Sequence, residues 1–338
     1  MVTQEAVPRR VPARTLLKCL VEARPSVLAM YLLRFVTGAA LGVSSMIGGS
    51  VPEVAGAAPE WLGSPAVQGG AGAGAWLGSS APGVLGGAAV WVLAILSAYL
   101  LNGVTDVHED RANDSRRPIA AGELRPESAA AVAKAAAALS MVGAVLLVPT
   151  LAPAVAAVLV LGYAYSMPPL SLKRHALGAP GIGVAAALLS YLAGYASVAH
   201  GTAPDAKTLL FAVVMSLWVG LVGTMAKDLP DAPGDAAAGR RTVAVLCGEP
   251  LLRRLLAVAA AALAGCLWLA VATVAPGLGL PACALTLGAG VVAVLALTHA
   301  SRGGRCRKRR LYRGFMATQY VTHLCQLVSV GVPSVVSS

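Results

Sequence analysis

The chain has 338 residues, of which 57% are apolar and 12% charged, with a formal charge of +11 and a mean hydropathy of +0.74. A soluble domain carries roughly 25% charged residues, so too little polar surface is present here to cover a water-soluble fold. Six scattered cysteines with no CxxC pair exclude a disulfide framework and give no zinc site.

The apolar residues fall in continuous Ala/Leu/Val-rich blocks of about twenty residues, the length of a membrane-spanning helix. An outer-membrane barrel would instead alternate apolar and polar residues over segments of about ten. Nine transmembrane helices are expected, near 27–48, 83–101, 129–149, 152–167, 177–199, 208–226, 252–275, 279–299 and 314–332. Residues 1–26 form a cytosolic N-terminal segment and 27–333 a single transmembrane domain. Arg9, Arg10, Arg14, Lys18 and Arg24 look like the positive end of a signal peptide. The apolar run after them exceeds a signal's roughly 7–15 residues, so the first span is retained. Residues 49–82 form an external Gly/Ala-rich loop whose only charges are Glu53 and Glu60, with Trp61 and Trp76 as interface anchors. Pro149 to Pro153 make a tight turn, because one helix through both flanking spans would overrun a hydrocarbon core of about 30 Å.

Numbering the spans assigns every loop a side. The basic residues then separate: apart from Arg34, inside the first span, and Lys207, all of the 26 Lys and Arg fall on one side. The positive-inside rule makes that side cytoplasmic, with the N-terminus cytoplasmic and the C-terminus extracytoplasmic. The cluster 302–313 is read as topology and contact with anionic lipid, and no nucleic-acid partner is expected. Arg34 is expected to face the bundle or an interface, since charge facing lipid is costly.

More than half of the fifteen acidic residues fall in two cytoplasmic-side stretches. In Leu101–Leu124, Asn102, Asp106 and Asp110 recur at i, i+4, i+8, with Asn113 three further. If the second span continues through them they share one face. Glu109, Asp114, Glu123 and Glu127 fall off that face and are read as solvent-facing. In Lys227–Thr242, Asp228, Asp231 and Asp235 are spaced i, i+3, i+7. Pro230 and Pro233 predict a kinked or unwound segment there.

Facing carboxylates suit a hard divalent cation such as Mg²⁺, which often combines one or two carboxylates with substrate phosphates. No soft ligand set competes, since the Cys are scattered and the His unpaired. Basic residues flank each stretch and suit a polyanion: Arg116 and Arg117 by the first, Lys227, Arg240 and Arg241 by the second, and Lys173 and Arg174 after the fourth span. A diphosphate head on a hydrocarbon tail satisfies both chemistries in an apolar bundle.

These residues resemble the motifs of the UbiA-type intramembrane prenyltransferases. Asn102, Asp106, Asp110, Arg117, Pro118 and Gly122 match an NDxxDxxxD…RPxxxG pattern. Lys227, Asp228, Asp231, Gly234, Asp235 and Gly239 match KDxxDxxGDxxxG, and Tyr165, Ser166, Pro168, Pro169, Lys173 and Arg174 match a YSxPPxxLKR-like element. The resemblance implies an all-α polytopic bundle of nine helices, with a cap of cytosolic loops over a cavity open to the membrane. It implies Mg²⁺-dependent transfer of an isoprenyl group (C10 to C20) from a prenyl diphosphate to a small electron-rich acceptor, aromatic by analogy, through an allylic carbocation. Asn102, Asp106, Asp110, Asp228, Asp231 and Asp235 are then the metal ligands. Arg117, Lys173, Arg174, Lys227 and Arg241 meet the diphosphate, with Arg240 as a weaker candidate. Asn113, Tyr163, Tyr165 and Tyr195 are possible substrate or cation contacts. No catalytic base is assigned, though His108 and His175 lie near. The place of action is the cell membrane, in isoprenoid biosynthesis, with no obligatory protein partner.

Two positions depart from the pattern: Gly103 where many members have Asp, and Gly223 where several have Tyr. The second could open the acceptor pocket or reshape a cyclising cavity. The rival enzymatic reading is a terpene cyclase acting on a prenyl diphosphate. A transporter or lipid-binding protein is the rival outside enzymology, although it requires neither the paired acids nor their basic flanks.

Overall fold

The computed structural model describes residues 13–48, 71–113, 115–199 and 201–331. The expectations for Arg9, Arg10, residues 49–70, Asp114 and 332–333 lie outside them. Among the described residues every named element is helical, and eight helices are long and apolar enough to cross a membrane.

The chain opens with a short helix, α1 (Ala13–Glu22), which buries Cys19 and Glu22 while leaving Leu16, Leu17, Leu20 and Val21 exposed. That pattern suits an amphipathic helix lying along a membrane surface. A break at Arg24, where φ is +60°, leads into α2 (Pro25–Gly48). Next come α3 (Ala71–Thr105), α4 (Val107–Ala112) and α5 (Pro126–Leu147). Residues 71–82, expected in the external loop, belong to α3 instead. Pro82 forfeits a backbone hydrogen bond without ending the helix.

The expected turn is a 3₁₀ segment, Pro149–Leu151, ahead of α6 (Ala152–Ser166) and α7 (Gly178–Ala196). The next rod begins as α8 (Ala206–Leu217), passes through a π-helical stretch, Trp218–Thr224, and finishes as α9 (Met225–Asp228). Wider π turns change the phase of the side chains that follow. Here they carry Gly223, Thr224, Lys227 and Asp228 to a shared cavity. The second acidic stretch is kinked as expected, with a turn through Pro230 and then α10 (Ala232–Ala237).

The last three helices are α11 (Val243–Thr273), α12 (Gly279–Leu297) and α13 (Arg305–Gly331). A non-helical residue, Gly248, breaks α11 near its start. The polar residues of α13 are sorted: Thr318, Gln319, Thr322, His323 and Gln326 are buried, while Val321, Leu324 and Val328 are exposed. Arg34 meets this inner face, with Nη2 2.5 Å from Gln319 Oε1 and its guanidinium 5.0 Å from the centre of the Tyr31 ring. His323 Nε2 lies 2.5 Å from the Tyr191 hydroxyl. The lone charge of the first span therefore points into the bundle.

Small residues bring α2 and α7 together. A Cβ at Gly38 would strike the Tyr191 backbone, and one at Gly194 would strike the Phe35 backbone. Such close approach is how helices pack where lipid gives no hydrophobic drive. Two buried clusters result, one centred on α2, α3, α5 and α6 and the other on α8 to α13, and α7 contributes to both.

Candidate active site

A cavity of about 230 Å³ opens between α2, α3, α6, α7, α9 and α13. Its apolar wall includes Met30, Ile95, Val158, Ile182 and Phe315. Its polar end carries Asn102, Asp106, Asp110, Asp228, Asp231 and Asp235. The six residues expected to bind metal, drawn from both acidic stretches, thus line one cavity.

Backbone geometry explains the first stretch. Although α3 ends at Thr105, the Asp106 amide still bonds the Asn102 carbonyl at 2.9 Å, and the Asp110 amide bonds the Asp106 carbonyl at 2.7 Å. The i, i+4, i+8 face survives. Asp106 departs from helical geometry (φ −98°, ψ 7°), so α4 does not simply continue α3. Glu109, expected to face solvent, lines the cavity as a result and meets Arg240 Nη2 at 3.2 Å.

Cations bind the acids together. Lys173 Nζ lies 2.7 Å from Asp106 Oδ1 and 2.8 Å from the Thr105 hydroxyl. Arg240 donates to the same Asp106 oxygen at 2.9 Å and lies 3.5 Å from Asp235. Arg305 donates to Asp231 Oδ1 at 3.1 and 2.6 Å and to the Asn113 carbonyl. Arg117 holds Asp110 at 2.7 Å. Lys227 lies 3.7 Å from Asp228.

Burial raises the pKa of Asp106, but Lys173 and Arg240 outweigh it and hold the carboxyl below its usual range. Asp235 goes the other way. Burial first, then the neighbouring Asp228 charge, push it up to about 6 against the pull of Arg240.

The basic residues expected at the diphosphate divide. Lys227 lines the cavity, as does Arg240. Lys173 is buried behind Asp106. Arg117 is buried between two carboxylates, Asp110 and Glu22. Arg174 and Arg241 are exposed in the loop cap, where the Arg241 amide bonds the Arg174 carbonyl at 2.9 Å. Among the possible contacts, Asn113 and Tyr165 line the cavity, whereas Tyr163 faces outward. Tyr195 is buried elsewhere and donates to the Ala203 carbonyl at 2.9 Å. His108 and His175 are exposed.

Gly223 and Phe315 both line the cavity. A Cβ there would strike the Phe315 ring, which fills the space from α13. Sequence reasoning missed the participation of Glu22, Arg24 and Arg305. Arg24 lines the cavity from the break between α1 and α2, and Glu22 could have been noticed as the acid that sits between Lys18 and Arg24.

The donor set is all oxygen, which fits Mg²⁺. Among the described residues no three acids already converge as a metal cluster.

The UbiA prenyltransferase family model matches residues 62–318. The digeranylgeranylglyceryl phosphate synthase of Methanopyrus kandleri is 33% identical over 226 residues, or 64% of this chain and 79% of that protein. The synthase of the same name from Natronomonas pharaonis is 36% identical over 174 residues, or 50% of this chain and 57% of that protein. Among solved structures, a UbiA homolog from Archaeoglobus fulgidus bound to GPP and Mg²⁺ matches with a TM-score of 0.63 at 17% identity, covering 93% of this chain and 100% of that one. A UbiA homolog from Aeropyrum pernix K1 matches with a TM-score of 0.57 at 18% identity, covering 88% and 96%. With two acidic stretches lining one cavity, and the family model matching most of its length, this chain belongs to the UbiA prenyltransferase family.

Proposed function

We propose that this membrane prenyltransferase binds Mg²⁺ and a prenyl diphosphate at the acidic end of the cavity and transfers the isoprenyl group to a small aromatic acceptor. The observation that carries the site is the joining of the two stretches, with Arg240 bonded to Asp106 and close to Asp235. Asp106, Asp110, Asp228, Asp231 and Asp235, with Asn102, would hold the metal. Bound Mg²⁺ supplies positive charge that stabilises the departing diphosphate.

The chain's own residues do the rest. Lys227 and Arg240 face the cavity and offer N–H donors to the diphosphate oxygens. The apolar wall takes the tail and keeps water from the electron-deficient carbon left at its end. Tyr31, Tyr99 and Tyr165 line the same space, and aromatic rings suit a cation. Arg174 and Arg241 hold the cap through their backbones.

We count α13 as the ninth span. Its low average hydropathy comes first from the basic residues Arg305–Arg313 at its start and then from polar residues turned inward, while Val321, Leu324 and Val328 face outward. The acidic end then lies at the cytoplasmic membrane face, with the N-terminus on that side and the C-terminus outside, as the basic loops support.

Purified enzyme in lipid nanodiscs, incubated with C5 to C20 prenyl diphosphates with and without a panel of phenolic and quinone-precursor acceptors, tests this by mass spectrometry of products. A prenylated aromatic product that requires both acceptor and Mg²⁺ is expected. A cyclic hydrocarbon or alcohol from diphosphate alone would overturn the transfer reading in favour of cyclisation.

A further inference from the structure

Glu22 ends α1, ahead of the first span, yet its side chain is 0% exposed. Its carboxylate lies 2.8 Å from Arg117 Nη2 and accepts the Ile119 amide at 2.9 Å. Its backbone carbonyl also accepts from Arg117 Nη2, at 3.1 Å. The other arm of the same guanidinium, Nη1, donates to Asp110 Oδ2 at 2.7 Å. A relay therefore runs from Glu22 through Arg117 to Asp110, and only Asp110 lines the cavity.

A buried acid is costly unless it is paired and hydrogen-bonded, and removing one partner leaves the other charge stranded. Both terminal nitrogens of Arg117, only 8% exposed, are committed in this way, while its Nε has no hydrogen-bond partner. With a carboxylate on each arm, it serves the acid that faces the cavity and not the cavity itself.

The backbone of α3 makes room for this arrangement. A Cβ at Gly103 would collide with Glu22 Oε1 and with Arg117 Nη2. Neither atom can withdraw without breaking the ion pair. Position 103 is therefore bare where α1 delivers a carboxylate.

We infer that Glu22 is a positioning residue for the metal end of the site: through Arg117 it fixes the Asp110 carboxylate toward the cavity, and Gly103 is the space it requires. This rests on reading the acids as a Mg²⁺–diphosphate site. Glu22 itself touches no substrate. Partners that orient metal ligands typically change metal affinity by about 10–100-fold when removed.

The test uses the full chain in nanodiscs and reads Mn²⁺ binding by electron paramagnetic resonance in the presence of inorganic diphosphate, alongside thermal melting. E22Q keeps the size and an acceptor for Ile119 but loses the charge, and should weaken Mn²⁺ binding about ten-fold. E22D, one methylene shorter but still charged, should recover part of that loss. E22A/G103D returns a carboxylate to the same volume from α3 and should bind Mn²⁺ more tightly than E22A. Wild-type affinity in E22Q, or a lowered melting temperature with unchanged affinity, would reduce Glu22 to a structural part and overturn the inference. So would an E22A/G103D variant no better than E22A. If the wild type itself binds no Mn²⁺ with diphosphate, the metal reading fails first and takes this inference with it.

Discussion

Arg240 Nη2 sits 2.9 Å from Asp106 Oδ1, so a cation of the second acidic stretch is bonded to a carboxylate of the first, 134 positions away in the chain. The same side chain lies 3.2 Å from Glu109 and 3.5 Å from Asp235. A planar fork can serve several oxygens in a way that a single ammonium cannot. R240Q should lower kcat on the preferred prenyl diphosphate by about a hundred-fold, the scale of losing one charge-stabilising donor. R240K should recover only part of it. Steady-state kinetics at saturating Mg²⁺ check this, and wild-type kcat in R240Q would show that Arg240 is a structural tie alone.

Asp235 sets the pH behaviour. With its carboxyl raised to about 6 in the folded protein from 3.8, the metal-free fold holds a proton that the unfolded chain has released. This group's contribution to stability therefore falls as pH rises from about 4 to 6. Asp106, held low by Lys173 and Arg240, acts oppositely: its contribution is present above its ordinary pKa and is lost as pH drops below it. On the proposed reading of Asp235 as a metal ligand, binding requires it ionised, so the Mg²⁺ half-saturation concentration should rise about ten-fold per pH unit below 6 for one coupled proton. Titrations from pH 5 to 7.5 measure it, and D235N should flatten the profile.

Arg305 neutralises Asp231 and is tied to the Asn113 carbonyl, joining α13 to both acidic stretches. R305Q should lower the melting temperature in EDTA by several degrees, about the effect of losing 1–2 kcal/mol of paired charge in a chain of this size. On the proposed reading Mg²⁺, held with inorganic diphosphate, would supply cationic charge at the same acids, so the deficit should shrink when both are present. An equal deficit in the two buffers would argue that Arg305 braces the fold independently of the site.

Phe315 occupies the volume beside Gly223 and stacks near Trp218, with ring centroids 6.3 Å apart. G223A should cost about 1–3 kcal/mol through overpacking. G223A/F315L, which removes the ring edge, should regain most of it. Chemical or thermal unfolding in detergent measures both. If G223A proves neutral, the ring has room to move.

The acidic spacing was legible because it is local: Asn102, Asp106 and Asp110 keep i to i+4 bonds even across the break at Asp106. The kink at Pro230 was legible for the same reason. Glu109 was misplaced because a single non-helical residue at 106 changes the course of α4, and no periodicity records that. Glu22 and Arg305 reach the site across 95 and 74 residues, to Arg117 and Asp231, and composition carries no such pairing. Arg241 was preferred to Arg240 as a cation for the diphosphate, yet the backbone bond of Arg241 to Arg174 turns it into the cap and leaves Arg240 facing the acids. The average hydropathy of α13 is low because Arg305–Arg313 open the helix and a polar face follows them inward.

The most direct measurement is diphosphate-dependent Mn²⁺ binding by wild type, D106N and D231N, each confirmed folded by its melting curve. If both stretches feed one site, either substitution should abolish the tight binding expected of the wild type, and turnover should disappear with it. Full Mn²⁺ affinity in either folded variant would mean that the two stretches do not share a metal–diphosphate centre.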